Sequence, residues 1–253
     1  MNISLVGTGN AAHQLGLAFS LAGINVQQIY GRNANDGEKL AKKVNGKFQS
    51  IQDLKNCQSE MVLLAVSDTA ITELSTICPV SCLVLHCSGA SSIDELITEN
   101  SGVFYPLQTM SKGQKVDFTQ TPVLLECRQN QHQFLLEKLA SSISKSVYWI
   151  DSHERLKIHL AAVFACNFSN AMMTVATNYL ESEKLPGILL NQLIKETTNK
   201  VLSIGPKAAQ TGPALRKDQK TMNKHLKLLA TYPNLNRMYQ ELSKLIQQQH
   251  GVI

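Results

Sequence analysis

The chain has no C-x-x-C pair. Its six cysteines, Cys57, Cys78, Cys82, Cys87, Cys127 and Cys166, stand apart, and none has a nearby histidine at zinc-finger spacing. With no signal sequence at its start, reduced thiols in a cytoplasm are the simplest expectation. No G-x-S-x-G elbow supports a hydrolase. His13, His86, His132, His153 and His250 form no metal-ligand pattern with the carboxylates, so no metal is expected. No repeat of fixed period appears. Glycine (14) and proline (7) are too sparse for collagen-like or low-complexity chains. The densest basic stretch, Arg216, Lys217, Lys220, Lys224 and Lys227, is broken by Asp218 and carries no aromatic residue, which argues against nucleic acid. The one apolar stretch near membrane length, Leu160 to Ala176, is interrupted by Asn167, Ser169, Asn170 and Thr174. Those groups are costly in hydrocarbon, so a buried helix at a packed interface is expected rather than a membrane span.

What is present is an ordinary globular composition over 253 residues, with 43% hydrophobic and 17% charged. That length admits one large or two modest domains, each able to bury a core. The net charge of +5 is uneven: residues 1–150 hold 11 basic against 12 acidic side chains, and the remainder 13 against 7. A basic second half suits a solvated helix face or attraction of a small anionic ligand.

The apolar run Asn2 to Val6 opens into Gly7, Thr8, Gly9, Asn10, Ala11 and Ala12, followed by apolar residues at Leu15, Ala18, Phe19 and Ala22. That reads as strand, glycine turn, helix. Further strands are expected at Val26 to Tyr30, Phe48 to Ile51, Met61 to Val66, Leu83 to His86, Val123 to Glu126 and Val147 to Ile150, with helical patterns between them. Such alternation predicts an α/β fold with a mainly parallel, Rossmann-like sheet. Beyond Asp151 strand signals cease. Helices are expected from about His153 to Glu183, from Pro186 to Ser203, from near Pro213 and from Asn234 to Gln249. The expected organisation is a dinucleotide-binding domain over 1–151 and an all-helical substrate and dimerisation domain over 152–253, with a ligand cleft between them.

Gly7, Gly9 and Ala12 form a G-x-G-x-x-A pattern in the right context. The first glycine permits the turn, the second lets backbone approach a pyrophosphate, and the small third residue lets helix and strand pack closely. Gly7 to Ala11 are therefore candidate cofactor-binding residues, facing phosphates at a helix N-terminus. An NAD site would place an acid at the end of the second strand, but Arg32 and Asn33 stand there, while Asp36 and Glu38 belong to the next helix. A guanidinium suits a 2′-phosphate, so NADP is the expected cofactor. Val66, Ser67, Ser88 and Gly89 follow strand ends at the ligand-binding edge. Ser67 is equally suited to capping a helix.

In the helical half His159 begins a face that returns at Val163, Asn167 and Asn170, if each residue advances by about 100°. His159, Asn167 and Ser88 are the catalytic candidates, though an isolated histidine is more often a satisfied core residue. Asn170, Arg216 and Asp218 are candidates for the substrate. Arg216 could hold a carboxylate or simply pair with Asp218.

Residues Gly7 to Ala12, Tyr30 to Asn33, Leu63 to Asp68, His86 to Ala90, Tyr105 to Thr109, His159 to Asn170 and Gly212 to Asp218, with His225 following, together resemble a Rossmann-like family. It is the family described as domain of unknown function 2520, often labelled as NADP oxidoreductases. It is similar to ketopantoate reductases, β-hydroxyacid dehydrogenases, pyrroline-5-carboxylate reductases and deazaflavin-dependent NADP oxidoreductases. The resemblance implies a homodimer through the helical domain. Taken with the residues above, the leading expectation is NADPH-dependent reduction of a small carbonyl or imine compound carrying a carboxylate, with His159 as proton donor. Hydroxyacid and ketopantoate enzymes carry a lysine with an asparagine one turn later. Here His159 and Val163 occupy that neighbourhood, and Lys157 lies about 200° around the helix. The alternative reading is an NADP(H)-binding sensor or scaffold without turnover.

Overall fold

A computed structural model of the chain describes residues 1–252 and resolves two compact units, Met1–Ser169 and Asn170–Ile253. Unit one is built on a single eight-stranded sheet. Its strands are β1 (Asn2–Val6), β2 (Asn25–Gly31), β3 (Lys47–Ser50), β4 (Met61–Leu64), β5 (Leu83–His86), β6 (Ser101–Pro106), β7 (Val123–Cys127) and β8 (Val147–Trp149). They lie in the order β3-β2-β1-β4-β5-β6-β7-β8. All pairs are parallel except β6 with β7. Between the strands run α1 (Asn10–Leu21), α2 (Ala34–Val44), α3 (Ile71–Ile77) and α4 (Gln133–Ser141).

The central strands β4 and β5 read Met-Val-Leu-Leu and Leu-Val-Leu-His and are buried at every position, as both-faces-covered parallel strands must be. One core cluster joins Ile3, Leu5, Phe19, Leu63, Leu85 and Phe104 on one face; a second joins Val6, Tyr30, Leu54, Val62 and Val84 on the other. The order reverses at β1, with β2–β3 on one side and β4–β8 on the other, a switch point of the kind that opens a ligand crevice at the strand carboxyl ends.

Strand β6 is the element that the sequence reading lacks, and it carries the sheet's only antiparallel pairing among the described residues. The division between units also differs from 151/152. The helix α5 (Ser152–Ala162) packs onto the sheet unit through Arg155 and His159, so the end of strand signals is not the end of the first compact body.

From α5 a helix runs on through a π-helical turn, Val163–Phe168, into α6 (Ser169–Ser182). The segment Ser152–Ser182 is long and apolar enough to cross a membrane, and none of its most apolar stretch is buried in the structure. The expected burial of Leu160 to Ala176 is thus absent within the single chain: Leu160, Phe164, Phe168 and Met173 are exposed. Unit two continues with α7 (Asn191–Ile204), the short α8 (Pro206–Ala209), α9 (Gln219–Leu228) and α10 (Pro233–Gln249). Among the described residues it contains no strand.

Candidate functional site

At the carboxyl ends of β1, β2 and β4 lies a cleft of about 550 Å³. Gly7, Thr8, Gly9, Asn10, Ala11, Arg32, Asn33, Val66 and Ser67 all border it. Gly7 adopts φ +117°, and a Cβ there would stand 2.2 Å from the Ala65 carbonyl oxygen, so only glycine fits against the end of β4. Around Gly9 the reverse holds: a Cβ would meet nothing within 4 Å. Gly9 is the N-cap of α1 yet offers no side chain, and no acidic residue lies in the first turn. The first backbone N–H groups of α1 therefore border an open cleft without a protein cap, a cradle that fits a pyrophosphate.

Arg32 is exposed and, among the described residues, outside any ion pair. Asn33 has a structural duty, since its Oδ1 accepts the Asp36 backbone N–H at 3.1 Å and so caps α2. Ser67 precedes a 3₁₀ turn, but its hydroxyl lies 3.2 Å from Thr69 Oγ1 and caps no helix N–H.

A second cluster forms where β5 and β6 end. Ser88 Oγ accepts from the backbone N–H groups of Ala90 (3.1 Å) and Ser91 (3.0 Å), which fixes the turn after β5 and leaves the hydroxyl proton uncommitted. Gly89 does not border the cleft described above. It lies beneath an aromatic pair: Tyr105 Oη is 3.2 Å from His159 Nδ1, with the rings 6.1 Å apart and edge-on. A Cβ on Gly89 would sit 2.5 Å from His159 Nδ1 and 2.7 Å from Tyr105 Cζ, so the absent side chain makes room for both. Burial pushes the Tyr105 phenol above its ordinary pKa range, so it keeps its proton at neutral pH. Its hydroxyl proton is thus available to Nδ1, the arrangement that places the imidazole proton on Nε2.

The helix that carries His159 is anchored by Arg155, four residues earlier on the same face of α5. Its guanidinium is fully buried and donates to Glu126 Oε2 on β7, to the Ser91 carbonyl at 2.6 Å and to Ser152 Oγ at 3.0 Å. Ser152 in turn donates to Glu126 Oε2 at 2.7 Å and accepts from Ile93 N–H at 2.9 Å. An ion pair between a buried Arg155 and a partly buried Glu126 thus ties α5, β7 and the turn after β5 into a single frame. Neither Arg155, Glu126 nor Tyr105 was a sequence candidate. The available signal was the Arg155–His159 spacing.

His86, at the end of β5, is wholly buried; its Nδ1 accepts the Ser88 N–H at 3.2 Å and its Nε2 has no hydrogen-bond partner among the described residues. Burial, reinforced by the charge of Arg155, lowers its pKa to about 4. The unfolded chain therefore binds a proton between pH 6.5 and 4 that the folded chain refuses. Stability from this group is complete above about pH 6.5 and falls by roughly 3 kcal/mol as the pH drops to 4. Urea titrations at pH 7 and 4.5 should show this loss in the native protein and a smaller one in His86→Gln.

Asn167 is exposed within the π turn, and its side chain makes no hydrogen bond among the described residues. The i→i+5 bonding of that turn advances each residue by less than 100°, so the face drawn from His159 through Val163 to Asn170 does not keep its assumed phase. Asn170 is exposed in unit two. Arg216, also exposed, forms no ion pair with Asp218 among the described residues. Asp218 instead caps α9, accepting from Thr221 N–H at 3.0 Å and Thr221 Oγ1 at 2.7 Å. His225 Nδ1 lies 2.9 Å from Tyr239 Oη.

Residues 2–78 match the family described as NADP oxidoreductase, coenzyme F420-dependent, and residues 121–246 match Domain of unknown function (DUF2520). The putative NADP oxidoreductase BF3122 of Bacteroides fragilis is 35% identical over 98% of each chain, with a TM-score of 0.89. An imine reductase of Myxococcus stipitatus in complex with NADP+ shares the fold at 13% identity and a TM-score of 0.66, over 98% of this chain and 93% of its own. A pyrroline-5-carboxylate reductase of Coxiella burnetii does so at 17% and 0.57, over 99% and 97%. No curated protein sequence matches the chain.

Proposed function

The chain belongs to the family of NADP oxidoreductases that carry the domain of unknown function 2520, and from that premise we propose that it reduces a small carbonyl or imine compound bearing a carboxylate. The observation that carries this reading is the His159–Tyr105 pair at the same sheet edge as the glycine-lined cleft. NADPH, when bound, supplies the hydride. The N–H groups at the start of α1 would hold its pyrophosphate and Arg32 its 2′-phosphate. Hydride addition to a carbonyl carbon leaves charge on oxygen that one proton must neutralise, giving an alcohol; the imine counterpart gives an amine. His159 Nε2 holds that proton, and the Tyr105 hydroxyl bonded to Nδ1 fixes the tautomer. Ser88 has a free hydroxyl proton to orient the reacting group. Arg216 is an exposed cation of unit two suited to a carboxylate, since Asp218 is occupied as a helix cap.

The same reading includes a homodimer. Among residues 170–252 only Ala214, Met222 and Ser243 are buried, too few to make a core. Leu185, Ile188, Leu189, Leu193 and Leu202 are exposed instead. Such apolar surface is covered by a partner in water, here by a second copy. Six unpaired cysteines suit a reducing cytoplasm.

The test is NADPH oxidation against a panel of small 2-oxo acids and cyclic imino carboxylates. Turnover with at least one, faster with NADPH than with NADH, is the expected result. NADPH binding without turnover on any member would leave the non-catalytic sensor as the better reading.

A further inference from the structure

The corner beyond β2, where Arg32 would meet a 2′-phosphate, also contains a carboxylate. Asp36 is the acidic residue of the first turn of α2, four positions after Arg32, and its backbone N–H is held by the Asn33 cap. An acid near this corner serves NAD chemistry, because it accepts from ribose hydroxyls and repels a phosphate dianion. On its own Asp36 would oppose Arg32.

Asp36 is not on its own. Lys112 Nζ lies 3.0 Å from Asp36 Oδ2. Lys112 comes from the segment between β6 and β7, far away in sequence, so its position needs explaining, and Gln14 on α1 explains it. That side chain is 3% exposed; its amide donates to the carbonyls of Ser111 and, at 2.6 Å, Gln114, and its oxygen accepts the Val116 N–H at 3.3 Å. The segment is therefore pinned to the helix whose N-terminus borders the cleft. Lys112, which follows Ser111, is delivered to the first turn of α2. Besides Lys112, Lys39 bears on Asp36 from α2 itself and Lys43 acts on His13, while the acids nearby are Glu38 on α2 and Glu73 at the cleft.

We infer that Lys112 is a specificity-determining residue for the dinucleotide: by pairing with Asp36 it cancels the carboxylate four residues after Arg32 and so leaves Arg32 less opposed toward a 2′-phosphate. Resting on the NADP reading above, this adds a residue from a distant segment to the choice between cofactors. Both partners are about two-fifths exposed, so the effect is electrostatic and modest rather than a rigid clamp.

Dissociation constants for NADPH and NADH, measured at low and moderate salt, test it in four proteins: native, Arg32→Ala, Lys112→Ala and Lys112→Ala/Asp36→Asn. In Lys112→Ala the preference for NADPH over NADH should fall roughly tenfold, mostly through weaker NADPH binding, and less at higher salt. Adding Asp36→Asn should restore much of that preference, because the carboxylate that Lys112 masks is then gone. Equal weakening of NADPH and NADH in Lys112→Ala, or no recovery in the double variant, would overturn the inference. If the native protein prefers NADPH and Arg32→Ala abolishes the preference, the cofactor reading stands whatever Lys112 does. A native protein without preference overturns both.

Discussion

Replacing Glu126 with alanine is expected to cost about 3–5 kcal/mol of folding free energy, a large fraction of the stability of an ordinary domain. The reason lies with the partner left behind. Arg155 is buried, and its Nε already lacks a hydrogen-bond partner among the described residues. Removing Glu126 would strand a full positive charge in the interior with only the Ser91 carbonyl and the Ser152 hydroxyl for compensation. Ser152 would lose its acceptor at the same stroke. Equilibrium denaturation measures the loss directly. The double replacement Arg155→Met/Glu126→Leu should recover most of it, since a buried ion pair exchanged for apolar side chains of similar volume is often neutral. If Glu126→Ala unfolds at the same denaturant concentration as the native protein, the buried frame described here is wrong.

The second large effect concerns turnover. His159→Ala should lower kcat by about 10²–10⁴-fold, the usual worth of a positioned proton donor, while the dissociation constant for NADPH stays within about twofold. Tyr105→Phe keeps the ring but loses the hydroxyl on Nδ1, so its loss in kcat should be smaller, about tenfold, and should come with an altered pH profile. Gly89→Ala offers a further probe that touches neither ring chemically: its methyl group would displace His159 and Tyr105, and kcat should fall with the fold intact. A His159→Ala enzyme of native kcat would remove the histidine from the mechanism. Loss of NADPH affinity in that variant would make it a structural residue.

How far the fold was readable follows from where each signal resides. Strands buried on both faces write themselves as unbroken apolar runs, and the expected Leu83 to His86 coincides with β5. Strand β6 carries the same kind of run at Val103, Phe104 and Tyr105, but it is bounded by Ser101 and Pro106 and breaks the strand–helix alternation. It follows β5 with only a 3₁₀ turn between and pairs with β7 antiparallel, so the α/β grammar does not anticipate it. The glycine turn was legible because its geometry is local: each residue from Gly7 to Ala11 borders the cleft from within one strand–turn–helix unit. The second cluster was only half legible. His159 and Ser88 stood out as polar residues in telling places, whereas Tyr105 resembles any strand aromatic until the fold brings it to His159. Arg155 hides for another reason. A fully buried arginine is rare, so a helix reading assigns it to the solvent face. Its partner Glu126 lies on a different element and shares no periodicity with it.

The long apolar segment teaches a related lesson. Its hydrophobicity makes a covered Leu160 to Ala176 the expectation, and the single chain does not cover it. Within one chain Leu160, Phe164 and Phe168 are exposed, and a second copy is the proposed cover. The π turn at Val163–Phe168 is invisible to a count at fixed angular step, and it shifts Asn167 and Asn170 relative to His159.

The melting temperature without ligand, with NADPH and with NADH, from micromolar to millimolar concentration, probes the cofactor site itself. At about a hundred times its dissociation constant a ligand stabilises the folded state by roughly 2.7 kcal/mol, enough to raise the midpoint by several degrees. A clear rise with NADPH and a smaller one with NADH is what the glycine cleft and Arg32 predict. No rise with either at millimolar concentration would contradict the cofactor site on which the rest of the account depends.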